Sequence, residues 1–132
     1  MATYDDVSRL AAALPDAVEG ERRGHSTGRE WTVNNKVFAW ERAFSKADVK
    51  RFGDGPMPAG PILAVVVGDL GEKEAVLAAG RPGFFTIPHF NGYAAVLVEL
   101  DAVDDGHLAE ALTDAWLAVA PEPLAHEYLT GR

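Results

Sequence analysis

Trp31-Thr32-Val33-Asn34-Asn35-Lys36-Val37-Phe38-Ala39-Trp40-Glu41 is the stretch whose reading decides the fold class. Trp31 and Val33 alternate with Glu30 and Thr32, the period-two pattern of a strand with two different faces. Asn34 and Asn35 tolerate positive φ, which the two-residue turn of a tight hairpin demands of both its central residues. Lys36 to Glu41 then resumes as a second strand, so the stretch predicts a β-hairpin. A doubly wound nucleotide-binding fold needs regular β-α-β alternation, and a hairpin this early in the chain breaks it.

Toward the N-terminus, Thr3 and Asp6 have the spacing of a capping box, with Asp in the place usual for Glu or Gln. Val7, Leu10, Ala11 and Leu14 follow at i, i+3, i+4 and i+7, one face of a helix that Pro15 ends. Asp16 to Gly28 reads as a polar connection. Toward the C-terminus, Ser45-Lys46-Ala47-Asp48 caps a predicted short helix reaching Phe52, and the Gly/Pro-rich run from Gly53 to Pro61 is a loop. Ile62 to Val67 is continuous, apolar and β-branched, as in an interior strand covered on both faces. Asp69 and Glu72 start another helix, for which Gly80 suits C′. Phe84 to Tyr93 is aromatic and contains an Asn91-Gly92 turn. Ala94 to Leu100 is the last strand, with Val96, Val98 and Leu100 on one face. Asp104 or Asp105 caps a final long helix that buries Leu108, Leu112, Ala115 and Val119 and stops at Pro121. Residues 122–132 are expected to be a loose tail, adding a helical turn or fraying. The order predicts one α+β domain over residues 1–132, a two-layer structure with helices packed against a mostly antiparallel sheet. Its core should hold Leu10, Leu14, Val65, Val67, Val96, Val98, Leu108, Leu112 and Trp116.

Composition narrows the chemistry. The 132 residues suit a single core, and 48% of them are hydrophobic. No run approaches the roughly 20 apolar residues of a membrane span. The first residues lack the basic and apolar regions of a signal peptide, so a cytoplasmic setting is expected. Zero cysteines exclude disulfides and thiolate chemistry. His25, His89, His107 and His126 have no metal-ligand spacing, so neither metal nor cofactor is expected. Ser8, Ser26 and Ser45 lack a Gly-x-Ser-x-Gly elbow, and no phosphate-cradling glycine loop follows a strand. A binding module, not an enzyme, is the expectation. The net charge of −8 is unevenly spread: residues 22–51 carry eight basic side chains against three acidic ones, a local +5 that leaves −13 on the other 102.

Several segments together resemble the MmcQ/YjbR family: Leu14-Pro15, Glu19-Gly20, Gly24-His25, Lys36-Val37-Phe38-Ala39, Phe84-Phe85, Pro88-His89-Phe90, Gly92-Tyr93, Val96-Leu97-Val98, Leu100-Asp101, Ala115-Trp116 and Ala120-Pro121. The Pro-His-Phe…Gly-Tyr segment is the most specific of them. The resemblance implies a two-layer α+β fold similar to secretion-chaperone-like and frataxin-like topologies. Many members carry the label DNA-binding, without established catalytic or base-reading residues to carry over. Ser45 to Pro61 looks enlarged relative to shorter members. Two functions follow as expectations. The first is weak, non-specific DNA binding through Arg42, Lys46, Lys50 and Arg51, by neutralising phosphates. The second is a small ligand or a protein partner held on an aromatic-lined sheet face by His25, Trp31, Trp40, Phe85, His89 and Tyr93.

Overall fold

The structure is a computed structural model, and it describes residues 2–22, 28–42, 61–87 and 90–130. Helix α1 (Tyr4–Ala12) begins at the predicted capping box: Asp6 N–H donates to Thr3 Oγ1 at 3.2 Å, and Thr3 N–H donates to Asp6 Oδ2 at 2.9 Å. The hairpin is formed by β2 (Gly28–Val33) and β3 (Lys36–Glu41). Val33 pairs with Lys36, and Asn34 and Asn35 have φ of 52° and 65°. The register slips at Trp31/Thr32, where Thr32 pairs with Val37 but Trp31 with Ala39. Phe38 is therefore the extra residue of a β-bulge, and Phe38 and Ala39 join the same core in succession.

Strand β1 (Ala17–Arg22) pairs antiparallel with β2 along its length, from Ala17↔Val33 to Arg22↔Gly28. This corrects the reading of Asp16 to Gly28 as a polar connection. An edge strand needs only one covered face, and charged residues such as Glu19 and Glu21 suit an edge. Strand β4 (Ile62–Val66) pairs with β3 on one side and β6 (Ala95–Glu99) on the other, while β5 (Phe84–Phe85) closes the far edge. The order β1-β2-β3-β4-β6-β5 is antiparallel throughout. The two-residue β5, which the sequence pattern does not mark as a strand, is docked by Glu99 N–H donating to Gly83 O at 2.7 Å. Gly83 has φ of 91°, and a Cβ there would lie 2.9 Å from Glu99 O.

Among the described residues, three helices pack directly against one face of the sheet. Helix α2 (Leu70–Ala78) starts at Asp69, whose carboxylate accepts from Glu72 N–H at 2.8 Å, and Gly80 follows its end with φ of 65°. Helix α3 (Asp105–Val119) is capped by Asp104 and packs across β3 and β4 and against α1. Leu63, Val65, Val67, Val96, Val98 and Leu100 point toward these helices and meet Leu108, Leu112, Ala115 and Trp116. Of the predicted core residues Leu10 and Val119 are half-buried; Val7 and Ala11 form the deeper side of α1. Residues 122–129, read from sequence as either a further helical turn or a frayed tail, form helix α4 (Glu122–Leu129), and the Tyr128 ring lies 5.1 Å from that of Trp116. On the opposite face Trp40, Ile62, Ala64, Ile87, Phe90, Ala95 and Leu97 make a second, smaller core. The predicted helix from Ser45 to Phe52 lies outside the described residues.

Tyr4 joins α1 to the central strand. Its hydroxyl donates to Ile62 O at 2.7 Å and accepts from Ile62 N–H at 3.1 Å. Burial, then the nearby Glu41 carboxylate, push its pKa from 10 to about 12, against the opposing effects of Ile62 and Arg29. The folded state therefore holds this proton more tightly than the unfolded chain, so its contribution is complete below pH 10 and is lost as pH rises toward 12. Absorbance titration should show one tyrosine ionising near pH 12, and Tyr4→Phe should remove that step. Denaturant midpoints between pH 10 and 12 should fall less steeply in the variant; an unchanged pH dependence would contradict the assignment.

Candidate functional site

The residues expected to form one aromatic face are divided by the sheet. Trp31 is 1% exposed and belongs to the helix-covered core. Its indole N–H donates to Glu19 at 3.0 Å, and Ser8 donates to the same carboxylate oxygen at 2.5 Å. Next to them Arg29 donates to Glu41 at 2.7 Å and to Asp5 at 3.1 Å, so this polar network fastens α1 to β1, β2 and β3. Trp31 is thus a structural side chain and not part of a ligand face; the bulge and pleat send it away from Trp40.

Trp40 and Phe85 lie on the opposite face with Phe90 and Tyr93. The Trp40, Phe90 and Tyr93 rings are mutual neighbours, with centroids 5.5–6.4 Å apart. This cluster is mostly closed: Trp40 is 6% exposed and Phe90 3%, while Tyr93 is 49% exposed at its edge. The Arg42 guanidinium lies 5.6 Å from the Phe90 ring centroid. Lys46, Lys50 and Arg51, and both His25 and His89, lie outside the described residues.

Lys73 is the one buried charged residue among those described. From α2 its ammonium donates to Phe90 O at 2.5 Å and Tyr93 O at 2.8 Å, clasping the turn that Tyr93 N–H closes onto Phe90 O with Gly92 at φ of 77°. Burial holds its pKa below the ordinary lysine value.

The opening that the sequence reading missed is on the helical face, between α2 and α3. A groove of about 200 Å³ is floored by Val65, Val67, Val76, Phe84 and Val96. Ala75, Ala79 and Ala111 flank it, and such small side chains leave the space between the two helices open. Glu72, Arg81, Glu110 and Asp114 form its rim. Arg81 donates to Glu110 at 3.1 Å. Partial burial, then the Glu110 and Glu72 carboxylates, push the Asp114 pKa up against the opposing effect of Arg81. Among the described residues no three His, Asp or Glu side chains converge to hold a metal ion, and no helix is long and apolar enough to cross a membrane. The i, i+4 spacing of Glu110 and Asp114 was visible in sequence, but its meaning depends on which helix lies opposite.

The family model described as YjbR matches residues 12–118. Uncharacterised proteins of Mycobacterium tuberculosis (Rv2570) and Mycobacterium bovis (Mb2600) are each 42% identical over 132 residues, covering 98% of this chain and 97% of the relative. The crystal structure of Deinococcus radiodurans protein DR2400, with its DUF419 domain, superposes with a TM-score of 0.62 at 20% identity, over 93% of this chain and 82% of that one. That likeness shows a shared α+β fold.

Lys73→Met keeps an unbranched apolar stem but removes both donated hydrogen bonds. The loss should be about 1–3 kcal/mol of unfolding free energy, the range for stranding buried polar partners. Urea unfolding measures it, and the Tyr93 amide should exchange faster; unchanged stability and exchange would show that the clasp carries no weight.

Proposed function

This chain belongs to the YjbR family, and we propose that it acts as a non-enzymatic binding module for a small molecule seated between α2 and α3. The supporting observation is the groove's combination of an apolar floor with a charged rim, the arrangement in which shape and burial supply affinity and a few polar groups supply orientation. Its volume of about 200 Å³ is below the roughly 300–1,000 Å³ of drug-sized sites, so a metabolite-sized ligand fits. The aromatic face is a poorer seat because its rings already cover one another. A fragment screen followed by amide NMR shifts should locate binders at Val76, Ala111 and Asp114. Ala111→Phe should fill the groove and abolish those shifts while leaving the melting temperature within a few degrees. Shifts confined to other surfaces would remove the groove from consideration.

DNA binding through the basic segment is the second reading, favoured by Arg42 and the exposed edge of Tyr93 where the chain leaves β3 toward that segment. Binding of this type should be weak, with Kd about 10⁻⁴–10⁻⁶ M at physiological salt, and should weaken steeply as salt rises. Charge reversal of Lys46, Lys50 and Arg51 together should abolish it. Binding that survives the reversal, or none at low salt, counts against this reading.

A further inference from the structure

The groove's rim restricts what class of molecule can occupy it. Glu72 is fixed from the first turn of α2, its carboxylate accepting from Gly68 N–H at 2.5 Å. Arg81, the rim's cation, is engaged with Glu110 at 3.1 Å. Asp114 lies one helical turn beyond Glu110 and has no ion-pair partner among the described residues. Three carboxylates against one guanidinium leave an uncompensated negative rim above an apolar floor. An anionic ligand would meet repulsion from Glu72 and Asp114 and would have to displace Glu110 from Arg81. The carboxylates border the groove without converging as a metal site does.

Building on the groove reading above, we infer that the ligand is a small amphipathic organic cation, an amine whose ammonium meets Asp114 while its apolar body lies over Val76, Phe84 and Val96. A cation here offsets the mutual repulsion of Glu72, Glu110 and Asp114. Partial burial, then the Glu110 and Glu72 carboxylates, hold the Asp114 pKa above the ordinary carboxylate range, with Arg81 opposing them. The apolar body excludes water from the floor, and the ammonium forms a charge-assisted hydrogen bond at the rim.

The test uses 2-phenylethylamine, 2-phenylethanol and 3-phenylpropanoate as probes at one ionic strength, followed by amide NMR shifts of the whole chain. The amine should bind about tenfold tighter than the alcohol, the factor expected of one charge-assisted hydrogen bond at a partly exposed site. Asp114→Asn should erase that advantage, bringing the ratio of amine to alcohol affinity close to one. Groove binding of the alcohol or carboxylate as tight as the amine would overturn the cation inference while leaving the groove reading standing. Retention of the full amine preference by Asp114→Asn would overturn the assignment to Asp114. If none of the three probes moves the groove amides at millimolar concentration, the groove reading fails, and the inference with it.

Discussion

The structure depends on the burial of β4 on both of its faces. Ile62, Leu63, Ala64 and Val65 are all nearly inaccessible, and their side chains alternate between two cores on opposite sides of one sheet. Leu63 and Val65 face the helices; Ile62 and Ala64 face the Trp40–Phe90 cluster. A strand buried on both faces must have every backbone group paired, because an unpaired amide away from water costs free energy comparable to a lost hydrogen bond. β3 and β6 satisfy most of these groups, and Tyr4 satisfies Ile62 at the strand's start. The α1 helix is thereby tied to the centre of the sheet as well as to its edge.

The same double coverage explains why the two aromatic tryptophans of the hairpin do different work. The bulge at Phe38 and the pleat place Trp31 under α1 and Trp40 against Phe90. Trp31 requires a polar partner for its indole N–H and has Glu19; without that acceptor a buried donor would be stranded. On the other side, Lys73 reaches from α2 to the carbonyls of Phe90 and Tyr93, so the turn covering the second core is held by a helix that packs on the first face. The groove lies between this helix and α3. Its rim residues come from both helices and from Arg81 just beyond α2, which makes the site sensitive to how the two helices are spaced.

Local patterns made much of the fold legible. The Thr3–Asp6 box, the Asn34-Asn35 turn, the Asp69 and Asp104 caps and the apolar run of β4 each specify a conformation through neighbours a few residues away. β1 was hidden because an edge strand with Glu19 and Glu21 has the composition of a loop, and β5 because two residues carry no periodicity. Only pairing with β2 and β6 makes them strands.

The candidate site was less legible for the same reason. Sequence placed Trp31, Trp40, Phe85 and Tyr93 together as the aromatic lining of one sheet face, yet the sheet separates Trp31 from the rest, and the remaining cluster is mostly closed. The groove joins Glu72 and Ala75 to Glu110, Ala111 and Asp114 across more than thirty residues of chain. What the sequence by itself determined was the identity, capping and apolar face of its regular elements, because those depend on short-range geometry. Which faces meet, which rings are covered and where two helices leave a charged opening were decided by the tertiary structure, because side chains distant in sequence share a site only after β4 has taken its place between β3 and β6.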